Sequence, residues 1–398
     1  MVTGLLGNES SDSNRFTLVT PKSENDARLQ ATLGNQNPTG LPVGVVRMSK
    51  KERFRMNALK VMEFAKELLL IDSPTGYTKA VIDFYEKEVK ALGYETIHTN
   101  KGNLIVKVPG IGHHTKALCA HVDTLGLMVR SIKEDGTLAF TLVGGPIVPT
   151  LDGEYCKIVT RDGRTYTGTI LSNSPSAHVY DDSKNAPRTD MTMHVRIDEC
   201  VSSKKEVEEL GIMPGDYICI DPKATITPSG FIKSRFLDDK LSVAILYGLL
   251  KTMKEEFIIP RDTWYFLIST YEEVGHGCAY IPEEIEEVIA VDMGCIGKDL
   301  SCTERDVSIC AKDSSGPYDY QMTTTLINLA KDNELSYAVD IYPFYSSDVS
   351  ASLRGGQDIR GALIGPGVAA SHGMERSHVD AVENTMKLLI AYMTKKRL

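Results

Sequence analysis

The stretch Trp264-Tyr265-Phe266-Leu267-Ile268-Ser269-Thr270-Tyr271-Glu272-Glu273-Val274-Gly275 decides how this chain is read. Its first seven residues are apolar and β-rich, the pattern of a buried strand. Two carboxylates follow at once, and carboxylates near a core are costly unless something compensates them. A metal ion would compensate one, and a proton-transfer role would explain the other.

Working outward, four more segments put acids or histidines at element ends. His121-Val122-Asp123 follows the buried run Lys116–Ala120. In an extended H-x-D the two side chains share a side, so Asp123 can hold one imidazole nitrogen and leave the other for a metal. Asp238-Asp239 opens a helix with apolar positions Leu241, Ala244, Ile245, Leu249 and Met253. One Asp would serve as an N-cap and suit the helix dipole, and two exceed that need. Gly248 falls on the same stripe and would allow close packing. Val288–Val291 runs into Asp292, with Gly294 expected to allow a tight turn. Ala362–Gly367 reads as a strand and turn leading to His372 and His378. Each segment alone has an ordinary reading as a cap, a turn or a solvated loop. Together, His, Asp, Glu and His follow four separate buried strands, and a fifth acid opens a helix. Sites in open α/β sheets form beyond the carboxyl ends of strands.

A His and carboxylate ligand set without thiolate suits Zn, Co or Mn. Five ligands and one spare glutamate match a two-metal hydrolase. One carboxylate would bridge ions about 3.5–4 Å apart, and the spare acid would handle protons.

The chain has 398 residues, a net charge of -9 and a 42% apolar fraction, enough for a packed core. The acidic balance argues against a nucleic-acid partner, and no apolar run is long enough to span a bilayer. Its eight cysteines form no C-x-x-C pair. With no secretory signal pattern, they read as free thiols in a reducing, cytoplasmic compartment.

Residues 1–47 are rich in Ser, Asn, Thr and Gly and read as a disordered extension. Met48 is a candidate start, because Ser49-Lys50-Lys51-Glu52 leads straight into a helix. Helical spacing then covers Asn57–Leu70 and Lys79–Leu92, and strands alternate with helices again from Asp238 onward. The expectation is an α/β domain over 48–127 and 234–398, with a mixed, mostly parallel sheet flanked by helices. Residues 128–233 hold short β-rich runs, with Asp162-Gly163 as a hairpin signal. They read as an inserted small β-barrel.

The motifs His121-Val122-Asp123, Leu237-Asp238-Asp239-Lys240, Tyr271-Glu272-Glu273-Val274-Gly275 and Val291-Asp292 resemble those of the M42 family of metallo-aminopeptidases, over about residues 50 to 395. That family includes glutamyl, deblocking and tetrahedral aminopeptidases. The resemblance implies a zinc-peptidase-like fold and hydrolysis of the N-terminal residue from short peptides. It implies two divalent metal ions per subunit, Zn or Co. His121 and Asp292 would bind one ion, Asp238 would bridge, and Glu273 and His372 would complete the second. Glu272 would be the general base that takes a proton from the bridging water and passes it to the leaving amine. Asp123 would orient His121, and a cis peptide would follow Asp238. Homo-oligomers, from dimers through the inserted domain to dodecamers, are also implied.

Two positions depart from the family pattern. Lys240 stands where Arg is usual, and the common Arg-Tyr-Ile-His-Ser-Pro form is absent. His372 fits the last ligand better than His378, which lies two residues before the helix near Asp380. The competing readings are a glycosidase, which needs carboxylates apart across a cleft, and an inactive scaffold on a peptidase fold.

Overall fold

The computed structural model describes residues 50–394, so the expectation for residues 1–47 lies outside the described residues. The chain opens with helices α1 (Lys50–Leu69) and α2 (Lys79–Ala91), then strands β1 (Thr96–His98), β2 (Leu104–Val108) and β3 (Thr115–His121). Next come β4 (Gly126–Ile132), β5 (Leu138–Val143), β6 (Tyr155–Val159), β7 (Thr165–Ser172) and β8 (Met193–Ile197). A short helix α3 (Lys204–Glu209) precedes β9 (Tyr217–Ile220), β10 (Thr225–Ile226) and β11 (Phe231–Ser234). Helix α4 (Leu237–Glu255) leads into β12 (Thr263–Ser269), β13 (Glu287–Val291), β14 (Gly294–Cys295), β15 (Val307–Asp313) and β16 (Gly316–Pro317). The chain closes with α5 (Tyr320–Asp332), β17 (Tyr337–Ile341), α6 (Asp348–Arg354), β18 (Arg360–Val368), β19 (Glu375–His378) and α7 (Val379–Thr394).

A ten-stranded mixed sheet runs β1-β2-β12-β3-β13-β18-β15-β16, with β14 and β17 attached to β18 and β15. Its centre, β12-β3-β13-β18, is parallel throughout. These strands are nearly continuous apolar runs because both of their faces are covered. Alternation sorts their side chains between the two faces. Leu118, Ala120, Trp264, Phe266, Ile268, Ile289 and Val291 join one core with the buried faces of α1, α4 and α7. Ala117, Cys119, Tyr265, Leu267, Val288 and Ala290 join a second core with Val349 of α6. At Gly248, an added Cβ would stand 2.3 Å from Val61 Cγ2, so α1 and α4 approach as closely as its place on the stripe suggested.

Strands β4-β5-β8-β7-β6-β9 close into an antiparallel barrel, with Asp162-Gly163 turning β6 into β7. A small sheet β10-β11-β19 then ties the segment after the barrel to the last strand of the chain.

Two local expectations change. Gly294 has no positive φ; it lies in β14, where a Cβ would meet Ser308 Cβ at 2.3 Å, so packing and not a turn requires glycine. The run through Gly365-Pro366-Gly367 is not a turn either, because β18 continues to Val368. All eight cysteines are free thiols. Among the described residues, no helix is long and apolar enough to cross a membrane.

Candidate metal centre

The parallel strands deliver their following residues to one edge of the sheet. His121 ends β3, and Glu272 and Glu273 form a one-turn 3-10 helix after β12. Asp292 follows β13, and His372 lies in the loop between β18 and β19. Asp238 and Asp239 open α4, joined by a cis peptide bond as expected, with non-helical backbone angles at both residues.

These side chains converge. His121 Nε2 is 3.1 Å from Asp238 Oδ1 and 3.6 Å from Glu272 Oε2. His372 Nε2 is 3.6 Å from the other Asp238 oxygen, Oδ2, and 3.8 Å from Glu273 Oε2. Asp238 therefore stands between two imidazoles, one oxygen toward each. Two buried sets have ligating atoms all within 4.8 Å of one another: His121, Asp238 and Glu273, and His121, Asp239 and Asp292.

The carboxylates carry unsatisfied charge. Asp239 Oδ1 and Glu273 Oε1 are buried with no hydrogen-bond partner. Burial first, then the Asp238 charge, pushes Asp292 up to about 7. Burial raises Glu272 well above the usual carboxylate range, and Asp292, Asp348 and Glu273 add to it against the opposing pull of His121. Burial and Asp238 do the same to Glu273. Asp238 is the exception. Burial pushes it up, but its hydrogen bond to His121 and the charges of both histidines outweigh that and hold it low. Burial disfavours the His121 imidazolium, yet Asp123, Asp238 and Glu272 pull its pKa well above the usual range. Packed acids with orphaned oxygens and two imidazoles make an N/O donor set that fits hard or borderline divalent cations.

Asp123 is fully buried and does more than the sequence suggested. The atom nearest His121 Nδ1 is its main-chain carbonyl, at 3.0 Å, with the carboxylate oxygen Oδ1 at 3.5 Å. That carboxylate accepts the Thr75 hydroxyl at 2.7 Å and the backbone N–H groups of Glu272 at 3.1 Å and Glu273 at 3.3 Å. It thus positions the turn bearing both glutamates as well as the histidine.

His372 has φ 62°, in the left-handed region that few residues other than glycine adopt. Its N–H donates to Glu375 Oε1 at 2.9 Å, and its Nδ1 lies 2.8 Å from the Gly145 carbonyl. His378 points elsewhere: its ring nitrogens meet the Ser229 carbonyl at 3.0 Å and the Asp380 N–H at 3.1 Å.

Sequence reasoning missed three supporting acids. Asp239 was an extra acid without a role, and its Oδ2 accepts the His121 N–H at 3.2 Å. Glu375, fully buried, accepts the N–H groups of both Asp238 (3.0 Å) and His372 (2.9 Å). Asp348 accepts the Cys278 N–H at 2.7 Å and the Ser269 hydroxyl, clamping the segment after Glu273 to the end of β12. No local pattern distinguishes Glu375 or Asp348 from a surface acid, because their partners lie up to 137 residues away.

Comparison with known proteins gives a consistent picture. The family model for M42 glutamyl aminopeptidase matches residues 102–388. A Bacillus subtilis protein described as a putative aminopeptidase, YhfE, is 48% identical over 337 residues, covering 84% of this chain and 97% of its own. Among solved structures, a TET aminopeptidase from a marine-sediment Thaumarchaeota archaeon superposes with a TM-score of 0.78 at 20% identity, covering 86% of this chain and 98% of that one. The Pyrococcus horikoshii TET1 peptidase, described as assembling into a tetrahedron or a large octahedral shell, gives 0.73 at 22% identity, covering 86% and 100%. At such identities the two structures speak to the fold.

Proposed function

Because the chain belongs to the M42 family of aminopeptidases, we propose that it removes the N-terminal residue from short peptides at a two-metal site made of His121, Asp238, Glu273, Asp292 and His372. The observation carrying this reading is Asp238, flanked by His121 at one oxygen and His372 at the other. In this reading Asp238 bridges, His121 and Asp292 serve one ion, and Glu273 and His372 serve the other. Zn or Co suits the donor set. Divalent ions held there would polarise the scissile carbonyl and ease deprotonation of water.

The protein's own groups do the remaining work. Glu272 takes the proton from the attacking water and returns it to the departing amine as the C–N bond breaks. Two features favour Glu272 over Glu273 for this task. Its side chain is the more open of the two, 13% exposed against 5%. Burial among other acids also raises its proton affinity, which a group that must accept and then release a proton near neutrality requires. Asp123 holds the turn in register, so that both glutamates keep their places.

A glycosidase would need two carboxylates on opposite sides of a sugar bond. Here the two glutamates share one turn and face histidines, an arrangement that gives a sugar bond no pair of flanking acids. The test is release of p-nitroaniline from aminoacyl-p-nitroanilides. Turnover is expected to vanish after chelation and return with Zn or Co, and activity untouched by exhaustive chelation would defeat the two-metal reading.

The same proposal includes homo-oligomers joined through the barrel, in keeping with the assemblies described for the TET1 peptidase. Light scattering should give a mass that is a multiple of the 43.8 kDa chain; a monomer at micromolar concentration would refute it.

A further inference from the structure

One tyrosine beside this site is used by nothing described so far. The hydroxyl of Tyr345 is buried and has no hydrogen-bond partner. The Tyr85 hydroxyl is also unpaired, but Tyr85 sits in the apolar core beside Phe64 and Tyr247. The surroundings of Tyr345 differ. The nearest charges acting on its hydroxyl include those of Asp292, Asp238 and Glu272, the acids of the candidate centre. A phenylalanine would fill the same space without burying an unpaired donor. The hydroxyl therefore calls for a partner that arrives only during the reaction.

The loop bearing it is firmly held, as a preorganised donor requires. The Tyr345 carbonyl accepts the Ser314 N–H at 2.9 Å and the Ser314 hydroxyl at 2.5 Å. Its ring packs edge-on against Tyr342, with centroids 5.3 Å apart at 64°. Two residues on, the Ser347 hydroxyl lies 2.7 Å from the Tyr318 hydroxyl, which donates to the buried Asp313 at 2.7 Å. Asp348 then fixes the loop to the segment that follows Glu273.

We propose that Tyr345 is a catalytic residue whose hydroxyl donates a hydrogen bond to the oxygen that develops negative charge when water attacks the scissile carbonyl. The inference rests on the aminopeptidase reading above. In the step, the water oxygen bonds to the carbonyl carbon, Glu272 takes the water proton, and the carbonyl π pair moves onto oxygen. Tyr345 stabilises that oxygen without giving up its proton. Collapse re-forms C=O, breaks C–N and sends the proton from Glu272 to the amine. No oxidant or other reactant is needed.

The test is Tyr345→Phe in the full-length, metal-loaded protein. The expected result is a fall in kcat of about 10²–10³-fold, the loss typical of one such donor, with KM changed by less than about threefold. Affinity for a phosphinic dipeptide, which mimics the tetrahedral centre, should fall by a comparable factor, while affinity for the free amino acid product stays the same. Bound metal per subunit should match the wild type. In the metal-free protein, the melting temperature should be equal or higher, because an unpaired buried hydroxyl has been removed. Unchanged kcat and phosphinate affinity would overturn the proposal. So would a lower melting temperature with metal loss, which would mark Tyr345 as a structural support for Asp292. A wild-type protein that hydrolyses no aminoacyl anilide would overturn the aminopeptidase reading and this one with it.

Discussion

At the scale of single residues, the candidate centre depends on acids that touch no substrate. Glu375 is the clearest. One buried carboxylate accepts the N–H groups of Asp238 and His372, so it sets the spacing of two candidate ligands 134 residues apart in the chain (372 − 238 = 134). Burial, and then the nearby Asp238 charge, raises its pKa well above the usual range. Glu375→Gln replaces one acceptor oxygen by an amide group facing a buried N–H. The expected costs are about 1–3 kcal/mol of stability and a loss of metal affinity of about 10–100-fold. Urea denaturation and calorimetric metal titration measure both; an affinity within twofold of the wild type would contradict this role. The ligand candidates themselves were legible in the sequence, because each lies at the end of a buried run where a charge is conspicuous. Glu375 was not, because its meaning comes wholly from partners that only the fold brings near.

At the scale of elements, helix α4 shows what pattern reading can and cannot see. Its apolar stripe and the close approach at Gly248 follow from helical spacing. The fate of Lys240 does not, because a lysine in the first turn of a helix ordinarily reaches solvent. Here it is buried, and its Nζ donates to the carbonyls of Leu68 at 3.0 Å and Ile71 at 2.6 Å, at the end of α1. Burial lowers its pKa from the ordinary 10.5 to about 7, against weaker opposing pulls from Asp72 and Cys219. The sign of the pH effect follows from this. Below about pH 7 the lysine is protonated in both states, and the cost of burying its charge is felt in full. Between about 7 and 10.5 only the unfolded chain holds the proton, so stability rises with pH, by up to about 1.4 kcal/mol per unit. Above that range both states are neutral and the rise stops. Lys240→Met should flatten this slope. Urea midpoints of the two proteins at pH 7 and pH 9.5 test it, and equal slopes would contradict it. The sheet and barrel were legible for a related reason. Parallel central strands are apolar on both faces, the barrel strands alternate, and the change of pattern near residue 128 marks the passage between them.

At the scale of the whole molecule, the fold gathers charge that the chain keeps far apart. Five acids and two histidines, spread from residue 121 to 372, meet at the carboxyl end of one parallel sheet. An antiparallel barrel closes between β3 and α4, and the Gly145 carbonyl, just past the end of β5, reaches back to the His372 imidazole. The central claim is a division of labour at this meeting point: Glu273 holds metal, and its neighbour Glu272 moves the proton. The most direct measurement is Glu272→Gln, assayed in parallel for bound metal by elemental analysis and for turnover of an aminoacyl-p-nitroanilide. The account predicts wild-type metal content and a fall in kcat of about 10²–10⁴-fold. Turnover within a few-fold of the wild type, or activity and metal lost in step, would contradict it.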